Sequence, residues 1–372
     1  MKPKRFLALV MALFGIMAST LSTANASTSA PDLKASDAAS LIRAYTDRLN
    51  STIADPRRAP SSRTDSYSNE ALEDTVAAKQ KALSSLYLKV AATGIRYGSY
   101  HTTISIDALR SSVGSASADA TERTRLVFKD AAKGAPPYQE FTAKRHFEFT
   151  LTQNSWKIAS VKVNYGGMPP TNEPLAPLSV PRSGSAIAIP PSHAASTEPL
   201  RESQQVDVKD LSRASYNYQA MADYARQYAY NYNPSYRNWA GAGSGGDCTN
   251  FVSQALRAGG WANANGYYLD YHYWWYNWFN QTRTWINAHY WYWFGVSSGR
   301  TYILSSIYYM GLADVLQADW QRDGVPDHTM LVTARDYYGN IYMTYHSTNT
   351  KDRPLVEIIN ANPSAWYYPH RT

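Results

Sequence analysis

Apolar residues first recur at helical spacing over 36–53, where Leu41, Ile42, Tyr45 and Leu49 fall on one face. A second helix is predicted over 68–88, with Leu72, Val76, Leu83 and Leu86 as its stripe. The period then drops to two. Residues 121–129 read as a strand, and 140–152 alternate through Phe147, Phe149 and Leu151. Gln153-Asn154-Ser155 makes a turn, and Trp156, Ile158, Val161 and Val163 return, with a break in alternation near Ala159. From 166 to 205 the pattern stops. Pro169, Pro170, Pro174, Pro177, Pro181, Pro190, Pro191 and Pro199 are spread among Ser, Ala and Thr. That composition predicts a semi-rigid linker with no core of its own.

The pattern resumes at Leu211. A helix is predicted over 211–232, with Tyr224, Ala225 and Tyr228 at helical spacing, and Asn233-Pro234 stops it. A glycine-rich turn at 241–246 runs into Asp247-Cys248-Thr249-Asn250. Phe251, Val252, Ala255 and Leu256 then form one face of a short helix, which Gly259-Gly260 ends. An aromatic-dense stretch covers 261–309, and strands are predicted at 314–318, 328–334, 341–346 and 355–359. Both halves are therefore expected to be α+β: an N-terminal domain over 27–165 and a second domain over 206–372. In the first, two helices ahead of a curved antiparallel sheet resemble the NTF2-like cone fold.

The N-terminus adds a compartment. Lys2, Lys4 and Arg5 precede an apolar run over 6–17, and Ala24-Asn25-Ala26 offers small residues for cleavage after Ala26. This predicts a signal peptide over 1–26, too short for a retained transmembrane segment, and a mature protein that is secreted or held in the cell envelope. Net charge is +7, and removing the three basic leader residues leaves +4. A mildly basic chain suits a polyanionic envelope. It carries no Lys/Arg stripe, so nucleic acid is not an expected partner.

Cysteine usage sharpens the chemistry. Cys248 is the sole cysteine, so no intramolecular disulfide can form. An unpaired thiol in an exported chain is either an inert small hydrophobe or a reactive group. Its place at a predicted helix start, behind glycines, favours the reactive reading. The helix N-terminus stabilises a thiolate, and free backbone N–H groups there can hold an oxyanion. A low thiol pKa is the expectation. A thiol nucleophile needs a base, usually histidine. The second domain offers His272, His289, His328, His346 and His370. His328 opens a clear strand and is the first choice. For a third group that orients the imidazole, His346 on the next strand comes first, then Asn349, then Asp352.

These residues carry a resemblance. The runs 218–225, 233–236 and 246–256, then 314–317, 328–333, 345–347 and 352–355, resemble the amidase-domain family in content and order. The resemblance covers about 211–370. It implies a papain-like fold, a helix packed on an antiparallel sheet, related to NlpC-type and CHAP cell-wall peptidases. It implies Cys248 and His328 as the catalytic pair, and Asp247 as a group binding the substrate's amine. Ala313 departs from the family's usual glycine. Amide hydrolysis in the peptide part of bacterial cell wall is the expected activity, with no cofactor and no metal.

Other chemistry finds little support. The chain has no phosphate-binding glycine loop after a strand, no zinc-ligand spacing and no Gly-x-Ser-x-Gly elbow. Two alternatives stay open: an acyl transferase or protein-directed peptidase on the same site, and a non-catalytic surface-binding protein using the aromatics. Those aromatics either line a cleft or fill a core.

Overall fold

The computed structural model describes residues 32–58, 65–176, 178, 187–198, 215–240 and 247–372. The predicted leader over 1–26, parts of the Pro-rich stretch and the predicted glycine turn at 241–246 lie outside the described residues.

Two helices open the chain, α1 (Ala35–Ala54) and α2 (Glu70–Ala92). Ala38, Ile42, Tyr45, Leu49 and Ile53 make the buried stripe of α1. Asn69 caps α2 by accepting from the Leu72 N–H. An antiparallel meander follows: β1 (Tyr97–Ser112), β2 (Ser115–Phe128), β3 (Tyr138–Thr152) and β4 (Ser155–Asn164). The helices pack on one face of this meander over Leu126, Phe141, Phe147, Phe149 and Ile158. The break in alternation is a bulge: Ser160 pairs with Glu148 and Ile158 with Phe149, leaving Ala159 between them.

Inside this half lies a charged cluster. Buried Arg145 ion-pairs with Glu122 at 3.3 Å and Glu173 at 2.5 Å, and Lys79 also pairs with Glu173. Asn172 accepts from Arg145 and donates to Asn50 and Glu122. The Pro-rich stretch thus begins as packed chain, with Met168, Thr171, Asn172 and Glu173 all buried. Composition concealed this, because two polar side chains and ion pairs, not an apolar stripe, dock the segment.

The second half contains α3 (Tyr218–Tyr228), α4 (Cys248–Ala258), α5 (Arg283–Ile286) and α6 (Ala288–Ser297). Its strands are β5 (Tyr302–Ile303), β6 (Val315–Asp319), β7 (His328–Arg335), β8 (Ile341–Tyr345), β9 (Thr350–Pro354) and β10 (Trp366–Arg371). Within the described residues the predicted helix over 211–232 begins at Tyr218, where Asn217 accepts from the Ala220 N–H, and ends at Tyr228. The strand predicted at 355–359 is a helix, α7 (Leu355–Ala361). Pro354 at its N-cap ends β9, and Leu355, Ile358 and Ile359 bury one helical face. Ala313 holds φ +63, the left-handed conformation a glycine would take freely.

Strand order runs β1-β2-β3-β9-β8-β7-β6-β10-β5. Glu140↔Lys351 and Phe141↔Thr350 join the meander to the strands of the second half in one ten-stranded sheet. Buried contacts also cross between the halves: the hydroxyls of Tyr87 and Tyr97 both reach Glu357 of α7. The chain is a mixed α+β structure built on antiparallel pairing. No helix among the described residues is long and apolar enough to cross a membrane.

Two apolar layers flank the strands of the second half. One packs Phe251, Val252, Ala255 and Leu256 of α4 against Leu331, Val315, Trp274, Trp285 and Trp291. The other packs Met330, Val332, Leu316 and Ala318 against Met343, Tyr345 and Ile358. Alternation along β7 sends neighbouring side chains into different layers.

Candidate active site

Cys248 is the first residue of α4, and Asp247 is its N-cap. The cysteine sits at i relative to Phe251, Val252 and Ala255 at i+3, i+4 and i+7, so it heads the helix's buried stripe. Only 4% of it is exposed.

Three donors meet its sulfur. The backbone N–H groups of Thr329 and Thr249 donate to Sγ, and the Thr249 hydroxyl lies 3.8 Å away. Burial nevertheless pushes the thiol pKa up, those donors opposing it and the Asp247 charge adding to it. The expected low thiol pKa is therefore reversed in this arrangement. The helix start was read correctly, but the packing around it was not visible in the sequence.

Asp247 is fully buried and its oxygens are engaged. Oδ1 accepts from the Trp239 N–H and from Asn250 Nδ2, each at 2.8 Å. Oδ2 holds His346 Nδ1 at 2.7 Å. Asn250 in turn donates to the Arg237 carbonyl and accepts from Trp285 Nε1. Asp247 thus ties α4 to β8 and to the loop after α3. A role in binding a substrate's amine finds no open oxygen here.

His346 follows β8. Its Nε2 lies 2.9 Å from the Tyr228 carbonyl, and its ring is sandwiched between Phe251, at 3.9 Å, and Tyr232, at 4.2 Å. Asn349 accepts from the Tyr232 hydroxyl at 3.0 Å, so it acts on His346 through that ring. Asp352 is buried elsewhere, held by Arg226 and the Thr333 hydroxyl.

His328 lies across the strand. Thr329 bonds Thr249 on the α4 side, whereas His328 faces the second layer, against Tyr345 and Trp320. Gly167, at φ +83, approaches its Nδ1 there. Neither ring nitrogen has a hydrogen-bond partner. Burial alone pushes its pKa down to about 3, so the ring is neutral. Asp247, next to Cys248 in the chain, holds His346, and Asn349 reaches that ring through Tyr232, whereas His328 lies on the other face of β7. Strand parity decides this, and one residue of register flips it.

Sequence reasoning passed over His370. It lies on β10, fully buried, and shares a polar chain with Gln317, Thr329 and Thr249 on the cysteine's side. Its position near the chain end hid it. The signal available was its place directly after the aromatic run Trp366-Tyr367-Tyr368.

The aromatic stretch divides. Trp274, Trp285, Trp291 and Phe294 are core. Trp278 and Phe279 stand out from a turn, 70% and 95% exposed.

Residues 215–369 match a family model described as "Putative amidase domain". The match contains Cys248, Asp247, His328 and His346, and ends one residue short of His370. "Uncharacterized protein YjcM" of Bacillus subtilis (strain 168) is 32% identical over 159 residues, 41% of this chain and 36% of that protein. The chain thus spans about a third of that relative's length. The intermembrane space region of chloroplast protein ARC6 is 17% identical, with a TM-score of 0.24 over 36% of this chain and 98% of that one. An amidase domain points to hydrolysis of amide bonds.

Proposed function

We propose that the chain is an exported cysteine amidase or peptidase acting on amide bonds in the peptide part of bacterial cell wall. The observation that carries this reading is the cysteine at the start of α4, within the amidase-domain match, with Asp247 beside it holding an imidazole at 2.7 Å. The predicted leader and basic balance favour an envelope substrate. The second half reads as papain-like, the first as an NTF2-like positioning module, and the Pro-rich stretch as their connection.

Cys248 Sγ attacks the amide carbonyl carbon. We take His346 as the proton acceptor, because Asp247 beside Cys248 holds it, in place of His328, the choice carried by resemblance, which lies on the other face of β7. Asp247 holds Nδ1, and Nε2 donates to the Tyr228 carbonyl, so the ring must first leave that carbonyl and give up its Nε2 hydrogen to solvent before Nε2 takes the thiol proton. Backbone N–H groups at the start of α4 face the developing oxyanion. The imidazolium then protonates the departing amine, and a thioester remains. Water, deprotonated by the same imidazole, cleaves it to a free carboxylate and restores the thiol.

Mass spectrometry of purified peptidoglycan incubated with the protein tests this, with new free amines as the expected product. No new amine from wild type, or equal release by Cys248→Ala, overturns it. Adding amine acceptors separates hydrolysis from acyl transfer, because a transferase would form new amides.

A further inference from the structure

A line of five polar side chains leads from the far end of the sheet to the sulfur. Its direction can be derived from one fixed carbonyl. Gln317 Nε2 donates to the Ala288 carbonyl at 2.7 Å. A carbonyl only accepts, so the amide cannot be turned the other way. Its second hydrogen goes to Thr329 Oγ1 at 3.3 Å, and Oε1 therefore faces His370 Nε2 at 3.2 Å. His370 must carry its proton on Nε2. Its Nδ1 accepts from the Thr301 hydroxyl at 3.0 Å. Burial keeps the ring neutral by pushing its pKa down to about 3, which leaves one tautomer able to satisfy both partners.

The same logic runs onward. The Gln317 nitrogen cannot accept, so the hydrogen of buried Thr329 is assigned to its other hydroxyl partner, Thr249 Oγ1 at 2.9 Å. The Thr249 hydrogen is then directed at Cys248 Sγ. The remote end is built in too. A Cβ at position 295 would lie 2.6 Å from Thr301 Oγ1, so Gly295 inside α6 makes room for the hydroxyl that starts the line.

We propose that Thr301, His370, Gln317, Thr329 and Thr249 form a directed hydrogen-bond chain that ends by donating to Cys248 Sγ. His370 and Gln317 are its remote positioning residues. The proposal rests on Cys248 being the nucleophile. Each donor favours the charged sulfur over the neutral thiol, against the burial that opposes it. Of the other ionisable groups, Asp247 at the N-cap of α4 acts on the sulfur by its charge, His346 after β8 and Tyr232 after α3 face Asp247, and His328 lies on the far face of β7.

The test is the pH profile of Cys248 alkylation by iodoacetamide on the full chain. Gln317→Glu puts acceptors where the amide donated. Thr329 then donates to the carboxylate and accepts from Thr249, and the sulfur loses its hydroxyl donor. Its alkylation midpoint is expected to rise by about one unit, a roughly tenfold drop in thiolate fraction at a fixed pH below the midpoint. Thr249→Val is expected to raise it similarly, and Thr249→Ser to restore the wild-type profile. A merely structural role would change melting but not this valine–serine contrast. If Gln317→Glu fails to fold, the Thr249 pair decides. Coincident profiles for wild type, Thr249→Val and Thr249→Ser would overturn the proposal. A shifted midpoint in a protein that releases no amine from peptidoglycan would remove the hydrolase reading and keep the chain. An unshifted midpoint with Cys248-dependent release would do the reverse.

Discussion

Two of the polar systems buried among the described residues are organised on opposite principles. In the first half, Arg145 and Lys79 meet Glu122 and Glu173, so two cations face two carboxylates. In the second half, the line from Thr301 to Cys248 runs through hydroxyls, an amide and a neutral imidazole. Charge cancellation holds a segment in place and has no direction. Neutral donors in series have a direction, and their last hydrogen lands on a reactive atom. The first system is suited to docking the chain at 172–173, the second to tuning chemistry.

The largest expected effect breaks the first system. Arg145→Met leaves Glu122 without that cation and Glu173 with Lys79 alone. Removing one partner of a buried ion pair costs about 3–5 kcal/mol. Urea unfolding checks it, and a loss under ~1 kcal/mol would contradict the docking role. The pH sign follows from Glu173. Burial pushes its carboxyl pKa up, but Arg145 and Lys79 outweigh that and hold it below the usual carboxylate range. Its contribution is full above the unfolded carboxylate pKa and is lost as pH falls through the lowered folded value.

The two histidines beside β7 sharpen the contrast next. His346→Ala is expected to cut amide hydrolysis about 10²–10⁴-fold. His328→Leu, in the apolar layer, is expected to keep activity. It should also stabilise the fold by roughly 1–3 kcal/mol, because two unpartnered nitrogens leave the interior. Its acid sensitivity should fall as well. His328 is neutral when folded down to about pH 3 and protonates near pH 6.5 when unfolded. Stability is therefore lost as pH drops below about 6.5, and the leucine variant should lack about 1.4 kcal/mol per pH unit of that slope. If His328→Leu abolishes hydrolysis in a folded protein, His328 is the base and β7 must present it to Cys248.

How much of this could be read in advance follows the same division. The helix at Cys248 and strands β6 to β8 were legible, because apolar periodicity and a cap-like Asp247 mark them. β1 was not, because its Ser, Thr and His leave little alternation. β9, β10 and α7 were misread or missed at the chain end, where short runs of mixed character fit helix and strand alike. The face of His328 depends on strand parity, which periodicity does not fix for a strand buried on both sides. Glu173 and His370 were hidden because each is polar and buried only through partners distant in sequence.

The smallest effect concerns the aromatic turn. Trp278→Ser with Phe279→Ser should leave stability within about 0.5 kcal/mol, since both side chains stand in solvent. A larger loss in thermal unfolding would put them in the core with Trp274 and Trp285.

The central claim is amide cleavage by Cys248, and one comparison tests it directly. Purified peptidoglycan is incubated with wild type and with Cys248→Ala of matched melting temperature, and released amines are quantified by mass spectrometry. The account predicts new amine termini at specific peptide bonds with wild type and none above background with the variant. Equal release by both proteins would contradict it.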